Sequence, residues 1–175
     1  MYSGQTKKHG GRLGEKPSIP LSERMYGMGL PMGRLKTGTP PRIKLSSLNL
    51  EVMDEQPGDL PTPFMSSLQK QHAHPKQLSC YITRTSATTK KIIEEDLHLS
   101  AMYSGQIHGI GPRYCPSIED KVVKFKNKDT HQVFIEPEGV NTDLVYPNGI
   151  SSSLPIETQD QFVRTITGLE DSVIT

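Results

Sequence analysis

One cysteine lies among basic residues in segment 111–125. Arg113 closely precedes Cys115, and Lys121 and Lys124 follow it. A cysteine reacts as its thiolate, and nearby positive charge or a helix N-terminus lowers the thiol pKa from about 8.5 toward neutrality. The pattern therefore marks Cys115 as a candidate nucleophile, with the three cations as candidates to stabilise its reactive form.

The residues after Cys115 predict a helix that begins close to the thiol. Ser117 is followed three residues later by Asp120, ahead of the apolar Val122, and this spacing is typical of a capping box. The residues alone leave a second interpretation open. Free cysteines are often small buried side chains, and the carboxylates of Glu119 and Asp120 would oppose a thiolate.

The composition indicates an ordered chain with many irregular connections. Hydrophobic residues make up 33% of the 175 residues, which include 15 Gly and 14 Pro. That content allows one core of modest size and favours turns and short elements. The formal net charge of +1 decides nothing about nucleic acid, because broad attraction to a polyanion requires a strongly basic domain. Binding would need a local patch, for which 7–9 and 124–128 are the candidates, although a solvated surface is the favoured interpretation of each.

The cysteine and histidine content restricts the chemistry further. The 2 cysteines form neither a zinc-ligand set nor a disulfide framework. His72 and His74 near Cys80 lack the closed spacing of a metal site, so we predict no metal. A thiol-dependent hydrolase is disfavoured, since no local motif pairs a histidine with Cys115. No apolar run of membrane length and no signal peptide are present, so we expect a reducing, soluble compartment and no membrane partner.

Periodicity predicts an α+β arrangement of short elements. Helices are predicted over 18–26, 86–98, the segment after Ser117, and 159–168, and strands over 33–37, 78–85, 131–136 and 144–146. Prolines at 57, 61, 63 and 75 interrupt every periodic pattern from 43 to 77. We expect that stretch to be a long excursion on the surface.

Six blocks, in order along the chain, give the sequence a family resemblance. They are residues 17–22, 33–42, 80–83, 111–125, 137–139 and 146–151. In these blocks the sequence resembles the MnmG family, also called GidA, whose members are FAD-dependent enzymes that modify the wobble uridine of certain tRNAs. The resemblance extends from about residue 10 onward, and residues 1–9 fit it poorly.

The resemblance implies roles for particular residues. Cys115 matches the catalytic thiol of the family signature, and Ser18 matches a position that contacts FAD, with a helix-capping hydroxyl as the alternative. The stretch matched to the nicotinamide cofactor consists of Gly111, Pro112, Arg113, Tyr114, Cys115, Pro116, Ser117, Ile118, Glu119, Asp120, Lys121, Val122, Val123, Lys124 and Phe125. Arg113 and Lys121 are candidates to hold a phosphate or a folate carboxylate, with surface ion pairing as the alternative.

The resemblance also implies an architecture. The chain would be a fragment of a flavoprotein with two dinucleotide-binding domains, comprising the edge of an FAD-binding Rossmann-like domain and a mixed α/β insertion domain. Residues 1–43 would then be part of the FAD-binding domain, residues 44–155 would form the insertion (NAD-binding) domain, and residues 156–175 would return to the FAD-binding domain.

The activity implied by the resemblance is the addition of a carboxymethylaminomethyl or aminomethyl group to C5 of the wobble uridine of tRNA. The implied cofactors are FAD and NADH, with methylenetetrahydrofolate as the one-carbon donor. The implied partners are tRNA, the GTPase MnmE and a second copy of the full-length protein. The expected location is the bacterial cytoplasm, and a mitochondrial homologue is the less favoured alternative.

One family feature has no match in this sequence. Family members are several times longer and open with a glycine fingerprint that binds the FAD pyrophosphate. Residues 27–33 contain three glycines, but their spacing is wrong and Pro31 stands where a helix should begin. We therefore expect an internal fragment that is inactive by itself. The alternative interpretation is a noncatalytic binding or structural piece of such a protein.

Overall fold

The computed structural model describes residues 2–10, 15–68, 74 and 76–175. The elements in chain order are β1 (Tyr2–Ser3), β2 (Thr6–Lys7), α1 (Ile19–Gly27), β3 (Ile43–Lys44), β4 (Asp54–Gln56), β5 (Cys80–Arg84), α2 (Ala87–Glu95), α3 (Ile118–Lys124), β6 (Gln132–Pro137), β7 (Leu144–Asn148) and α4 (Ile156–Val163). Single 3-10 turns cover Leu45–Ser47, Leu50–Val52 and Leu97–Leu99. The predicted mixture of helices and strands is confirmed.

The main sheet has five strands in the order β3-β7-β6-β5-β4, and every neighbouring pair is antiparallel. Val133 and Ile135 alternate along β6 with more exposed neighbours, and both are fully buried. Val145 of β7 is also fully buried. Because successive side chains of a strand point to opposite faces, these residues give the sheet one apolar face.

One hydrophobic core joins that face to helices α2, α3 and α4. It consists of Ile43, Met53, Ile93, Ile118, Val122, Val133, Ile135, Val145, Ile150, Leu154, Phe162, Val163, Ile166 and Leu169. Helix α3 contributes Ile118 and Val122, both essentially without exposed surface. Burial of such a side chain stabilises the fold by about 1.5–3 kcal/mol. The helix that follows Cys115 is therefore anchored in the core.

Helix α2 begins where the sequence predicts a helix, and the structure shows a capping box at its start. The Ser86 Oγ accepts a hydrogen bond from the Thr89 backbone N at 3.1 Å, and the Thr89 Oγ1 accepts one from the Ser86 backbone N at 2.9 Å. The Thr89 hydroxyl also lies 2.7 Å from the Thr165 hydroxyl, beyond the end of α4. The cap therefore links two helices as well as starting one.

Two predictions about connections are wrong. Residues 33–37 do not form a strand, since Leu35 makes only an isolated parallel bridge to Ile110 in a stretch interrupted by glycines and prolines. The chain from Ile43 is not a surface excursion throughout, because β3 and β4 form the two edges of the sheet and Ile43 and Met53 are buried. Strands this short show no alternation for the sequence to reveal. Residues 69–73 and 75 lie outside the described residues.

The core extends across both predicted domain limits. Ile43 forms bridges to β7 and to Ile174, and Phe162 of α4 shares the core with Ile93 of α2. Residues on either side of positions 43–44 and 155–156 thus pack together in this chain. The three-part division of the sequence stays a prediction about the longer protein.

Gly168 provides a direct stability test. Its φ is +83°, and a Cβ there would lie 2.5 Å from the Met53 Cε and 2.8 Å from the Asn49 carbonyl oxygen. We expect Gly168→Ala to lower the free energy of unfolding by about 2 kcal/mol or more, since both strain and contact oppose it. Gly33→Ala is the control, because nothing lies within 4 Å of its added Cβ. It should stay within about 1 kcal/mol of wild type. Urea unfolding measures the free energy of unfolding of both variants and the wild type, and equal values for the two variants would contradict the prediction.

His131 makes stability depend on pH. Burial lowers the pKa of His131, and Lys121, Lys128 and Lys90 lower it further. Its Nε2 is buried without a hydrogen-bond partner in the described structure. The unfolded chain therefore takes up a proton more readily than the folded chain, and stability is lost as pH falls below the unfolded value of about 6.5.

We expect the melting temperature to fall between about pH 7 and about pH 5.5, and to fall less in His131→Gln. The exposed His98 serves as the matched control, and His98→Gln should keep the wild-type dependence. An identical pH dependence of the melting temperature in wild type and His131→Gln would refute the assignment.

Candidate functional site

Cys115 lies on an exposed loop directly before α3, beside a segment distant in sequence. The Thr37 Oγ1 lies 3.7 Å from the Cys115 Sγ and 3.5 Å from the Cys115 carbonyl oxygen. A hydroxyl at this position can donate to a thiolate, and hydrogen bonding to a charged form favours that form. Sequence reasoning did not select Thr37, although it lies within the block 33–42 that carries part of the resemblance.

Backbone contacts on both sides hold Thr37 in place. The Lys36 N donates to the Ile110 carbonyl oxygen at 3.1 Å, and the Lys36 Nζ donates to the Met102 carbonyl oxygen at 3.2 Å. On the other side, Thr39 forms an antiparallel bridge with Ser152. Between them, Gly38 approaches so closely that a Cβ would lie 2.6 Å from the Ser152 N. Glycine is therefore required for this close approach.

Helix α3 starts at the predicted cap. The Ser117 Oγ accepts a hydrogen bond from the Asp120 N at 3.1 Å, and the Ile118 N donates to the Ser151 carbonyl oxygen at 2.8 Å. The second bond satisfies a donor that the helix itself leaves free. The loop bearing Cys115 is thus fixed at its end by the 149–153 segment.

Among the three cations predicted to act on the thiol, Lys121 is linked to it electrostatically. Burial lowers the pKa of Lys121, and its electrostatic interaction with the Cys115 side chain opposes that shift. The Lys121 Nζ donates to the Gly149 carbonyl oxygen at 2.7 Å. Arg113 instead lies over the exposed ring of Tyr114, 5.3 Å from its centroid. Lys124 pairs with Asp120 at 3.8 Å.

The carboxylates expected to oppose a thiolate are occupied elsewhere. Asp120 accepts a hydrogen bond from the Tyr103 hydroxyl at 2.9 Å. Burial raises the pKa of Tyr103, and that hydrogen bond raises it further, so the phenol stays protonated and keeps donating. Glu119 is fully buried and hydrogen-bonded to serine residues. Both carboxyl groups are therefore engaged by other groups.

The structure divides the predicted cofactor stretch into two parts. The side chains of Ser117, Ile118, Glu119 and Val122 are buried in the fold, so they offer a ligand almost no accessible surface. The exposed or half-buried members are Gly111, Pro112, Arg113, Tyr114, Cys115, Pro116, Asp120, Lys121, Val123, Lys124 and Phe125. Cofactor binding along this stretch stays a prediction, and its contacts are expected from the exposed part.

Ser18 lies apart from that stretch, at the start of α1. Its side chain is exposed and makes no capping hydrogen bond. The alternative of a helix-capping hydroxyl therefore has no support in the geometry. The hydroxyl is accessible to a ligand, as the FAD prediction requires.

Other kinds of site are limited within the described residues. No group of three or more His, Cys, Asp or Glu side chains is placed there to hold a metal ion, and His72 lies outside those residues. Cys80 is half-buried, and its pKa is raised by burial and then by Glu136. No helix in the described ranges has the length and apolar character needed to cross a membrane.

Comparison with known proteins shows what the chain is related to. The family model described as "Glucose inhibited division protein A" matches residues 1–175. The chain belongs to the GidA family. The predicted resemblance is thereby confirmed, and the match includes residues 1–9, which the sequence alone fitted poorly.

Two solved structures of GidA from Aquifex aeolicus match this GidA-family chain over 99% of its length. The form I crystal structure has 46% sequence identity and a TM-score of 0.80. The form II crystal structure has 41% identity and a TM-score of 0.78. The chain spans only 30% and 27% of those two chains.

The arrangement around Cys115 predicts a measurable difference between the two thiols. We expect iodoacetamide to modify the exposed Cys115 faster than Cys80, as measured by peptide mass spectrometry at about pH 7.5. Lys121→Met should slow modification of Cys115 by about threefold, because the thiolate loses its neighbouring positive charge. Cys80 in the same molecule is the internal control and should keep its rate.

Lys124→Met is the matched variant, since Lys124 is on the same helix but pairs with Asp120. It should slow the modification of Cys115 by iodoacetamide less than Lys121→Met does. Equal effects of the two substitutions would show that general surface charge, and not Lys121, acts on the thiol.

Proposed function

We propose that this chain is the thiol-bearing part of a flavin-dependent tRNA-modifying enzyme. The reaction is the addition of a carboxymethylaminomethyl or aminomethyl group to C5 of the wobble uridine. GidA-family membership supports the class of enzyme. The proposed role of this part of the enzyme is supported chiefly by the exposed Cys115. The Thr37 hydroxyl contacts its Sγ, and Lys121 lies in its electrostatic environment.

The thiol environment suits the proposed chemistry. A thiolate can add to an electron-poor pyrimidine ring or hold a one-carbon unit. The exposed Sγ of Cys115 is accessible for either step. Thr37 can donate a hydrogen bond to the thiolate, and Lys121 supplies a positive charge that favours it. These residues could stabilise negative charge on the Cys115 Sγ during the reaction.

The cofactors are FAD, NADH and methylenetetrahydrofolate, which would supply electron transfer and the one-carbon unit. Ser18 presents an exposed hydroxyl without a capping bond, which fits an FAD contact. The exposed Arg113 and the half-buried Lys121 fit a phosphate or a folate carboxylate. The family fingerprint for the FAD pyrophosphate has no match in this sequence, so complete flavin binding would require the rest of the longer protein.

The proposed partners are tRNA, the GTPase MnmE and a second copy of the full-length protein, in the bacterial cytoplasm. The net charge of +1 gives the chain no strong general attraction for a polyanion. Contact with tRNA would therefore depend on other parts of the longer protein or on the local lysine run 124–128.

A chimera tests the proposed function. The matching segment of an active GidA protein would be exchanged for this chain, which corresponds to it over 99% of its length. We expect the chimera to bind FAD and to modify C5 of the wobble uridine, measured by nucleoside mass spectrometry. Cys115→Ser should keep the flavin absorbance and reduce modification by about a hundredfold or more, because the nucleophile is lost.

Each contrary result has a distinct meaning. Full modification by the Cys115→Ser chimera would remove the thiol from the mechanism. A chimera that folds and binds FAD but modifies no tRNA, even with Cys115, would favour a noncatalytic structural piece. Ser18→Ala in the same chimera should weaken FAD binding, and an unchanged flavin affinity would exclude Ser18 as a contact.

A further inference from the structure

Glu119 is a charged residue that the proposed chemistry does not use, yet it is fully buried. Its Oε1 accepts hydrogen bonds from the Ser100 Oγ at 3.0 Å, the Ser152 Oγ at 3.2 Å, and the Ser153 N and Oγ at 2.9 and 3.4 Å. Its Oε2 has no hydrogen-bond partner in the described structure. Burying a carboxylate is costly unless it is paired or bonded, so one oxygen bears this whole network.

The network joins three stretches of chain, one of which is the helix that follows Cys115. Glu119 lies in the first turn of α3, Ser100 precedes the 101–107 turn region, and Ser152 and Ser153 follow Gly149. The Ser153 Oγ also lies 2.8 Å from the Ser100 Oγ and accepts from the Met102 N at 3.1 Å. Removing the carboxylate would leave several buried donors without an acceptor.

Two arms lead from Glu119 to the segment that carries Thr37. One arm runs through Ser152, whose backbone N donates to the Thr39 carbonyl oxygen at 3.3 Å. The other runs through Ser153 to Met102, whose carbonyl oxygen accepts from the Lys36 Nζ at 3.2 Å. Thr37 lies between these two anchor points. Both of these anchors are connected by hydrogen bonds to the same buried oxygen.

We propose that Glu119 is a positioning residue for the thiol, holding the Thr37 hydroxyl beside the Cys115 Sγ. This rests on the proposed role of Cys115 as the reactive group. Glu119 itself touches neither the thiol nor solvent and acts through Ser152 and Met102. Residues 36–39 have no buried side chain of their own, so contacts with other segments must hold them in position.

The test measures the rate of Cys115 alkylation by iodoacetamide across a range of pH, with peptide mass spectrometry to separate it from Cys80. Thr37→Val should slow Cys115 by about fivefold near neutral pH, the effect of one hydrogen bond. Glu119→Leu should slow it to the same extent. The double variant should show no further slowing, because two residues acting as one unit are not additive.

Conservative variants separate position from stability. Glu119→Gln keeps an oxygen for the serine donors but buries an unpartnered amide group. It should therefore lower the melting temperature while changing alkylation by less than about twofold. Ser152→Ala breaks one arm and leaves the carboxylate, so it should slow alkylation even if Glu119→Leu fails to fold. Thr83→Val, which removes a buried bond to Thr167 outside this network, should lower stability and leave the pH profile of Cys115 unchanged.

Two results would overturn the inference. One is that Glu119→Leu and Ser152→Ala lower the melting temperature but keep the wild-type pH profile. The other is that the effects of Glu119→Leu and Thr37→Val multiply in full. If wild-type Cys115 reacts no faster than Cys80, the proposed function fails instead, while the coupling between Glu119 and Thr37 can still be measured.

Discussion

The packing of α3 into the hydrophobic core is the interaction on which the candidate site depends. Ile118 and Val122 are buried on one side of this seven-residue helix, and their burial sets the helix axis and its rotation. Cys115 then lies on the exposed loop before the first turn. A helix this short is not stable in water by itself, so tertiary packing holds the thiol in place.

Polar contacts add to the hydrophobic packing in positioning the residues around Cys115. Lys121 is on the same helix as the buried apolar residues, and its ammonium group is held by the Gly149 carbonyl oxygen. Gly149 has a φ of +110°, and a Cβ there would lie 2.7 Å from the Gln132 carbonyl oxygen. The glycine thus lets its segment pass close to both β6 and α3. The Lys121 ammonium group and the backbone at Gly149 are therefore held together.

Helix α1 shows the opposite situation. None of its residues is buried, and Leu21 and Tyr26 are 61% and 53% exposed. An isolated helix of nine residues is marginal in water, and apolar side chains on its surface favour contact with another element. The proposed assignment of residues 1–43 to an FAD-binding domain would give this helix such a contact, in relatives whose chains are more than three times as long.

The sequence predicted the elements that have a local pattern and missed those that are set only by pairing with distant segments. The Ser117 cap was found because a hydroxyl three residues before its donor is a short-range pattern. The edge strands β3 and β4 were missed because their two and three residues show no periodicity. Thr37 was missed as a site residue because no local sequence pattern marks it. Its place beside Cys115 is set by bonds from Lys36 and Thr39 to segments distant in sequence, and such pairings leave no local pattern. Residue types therefore selected Cys115 as the candidate nucleophile, whereas the fold alone revealed the hydroxyl beside it.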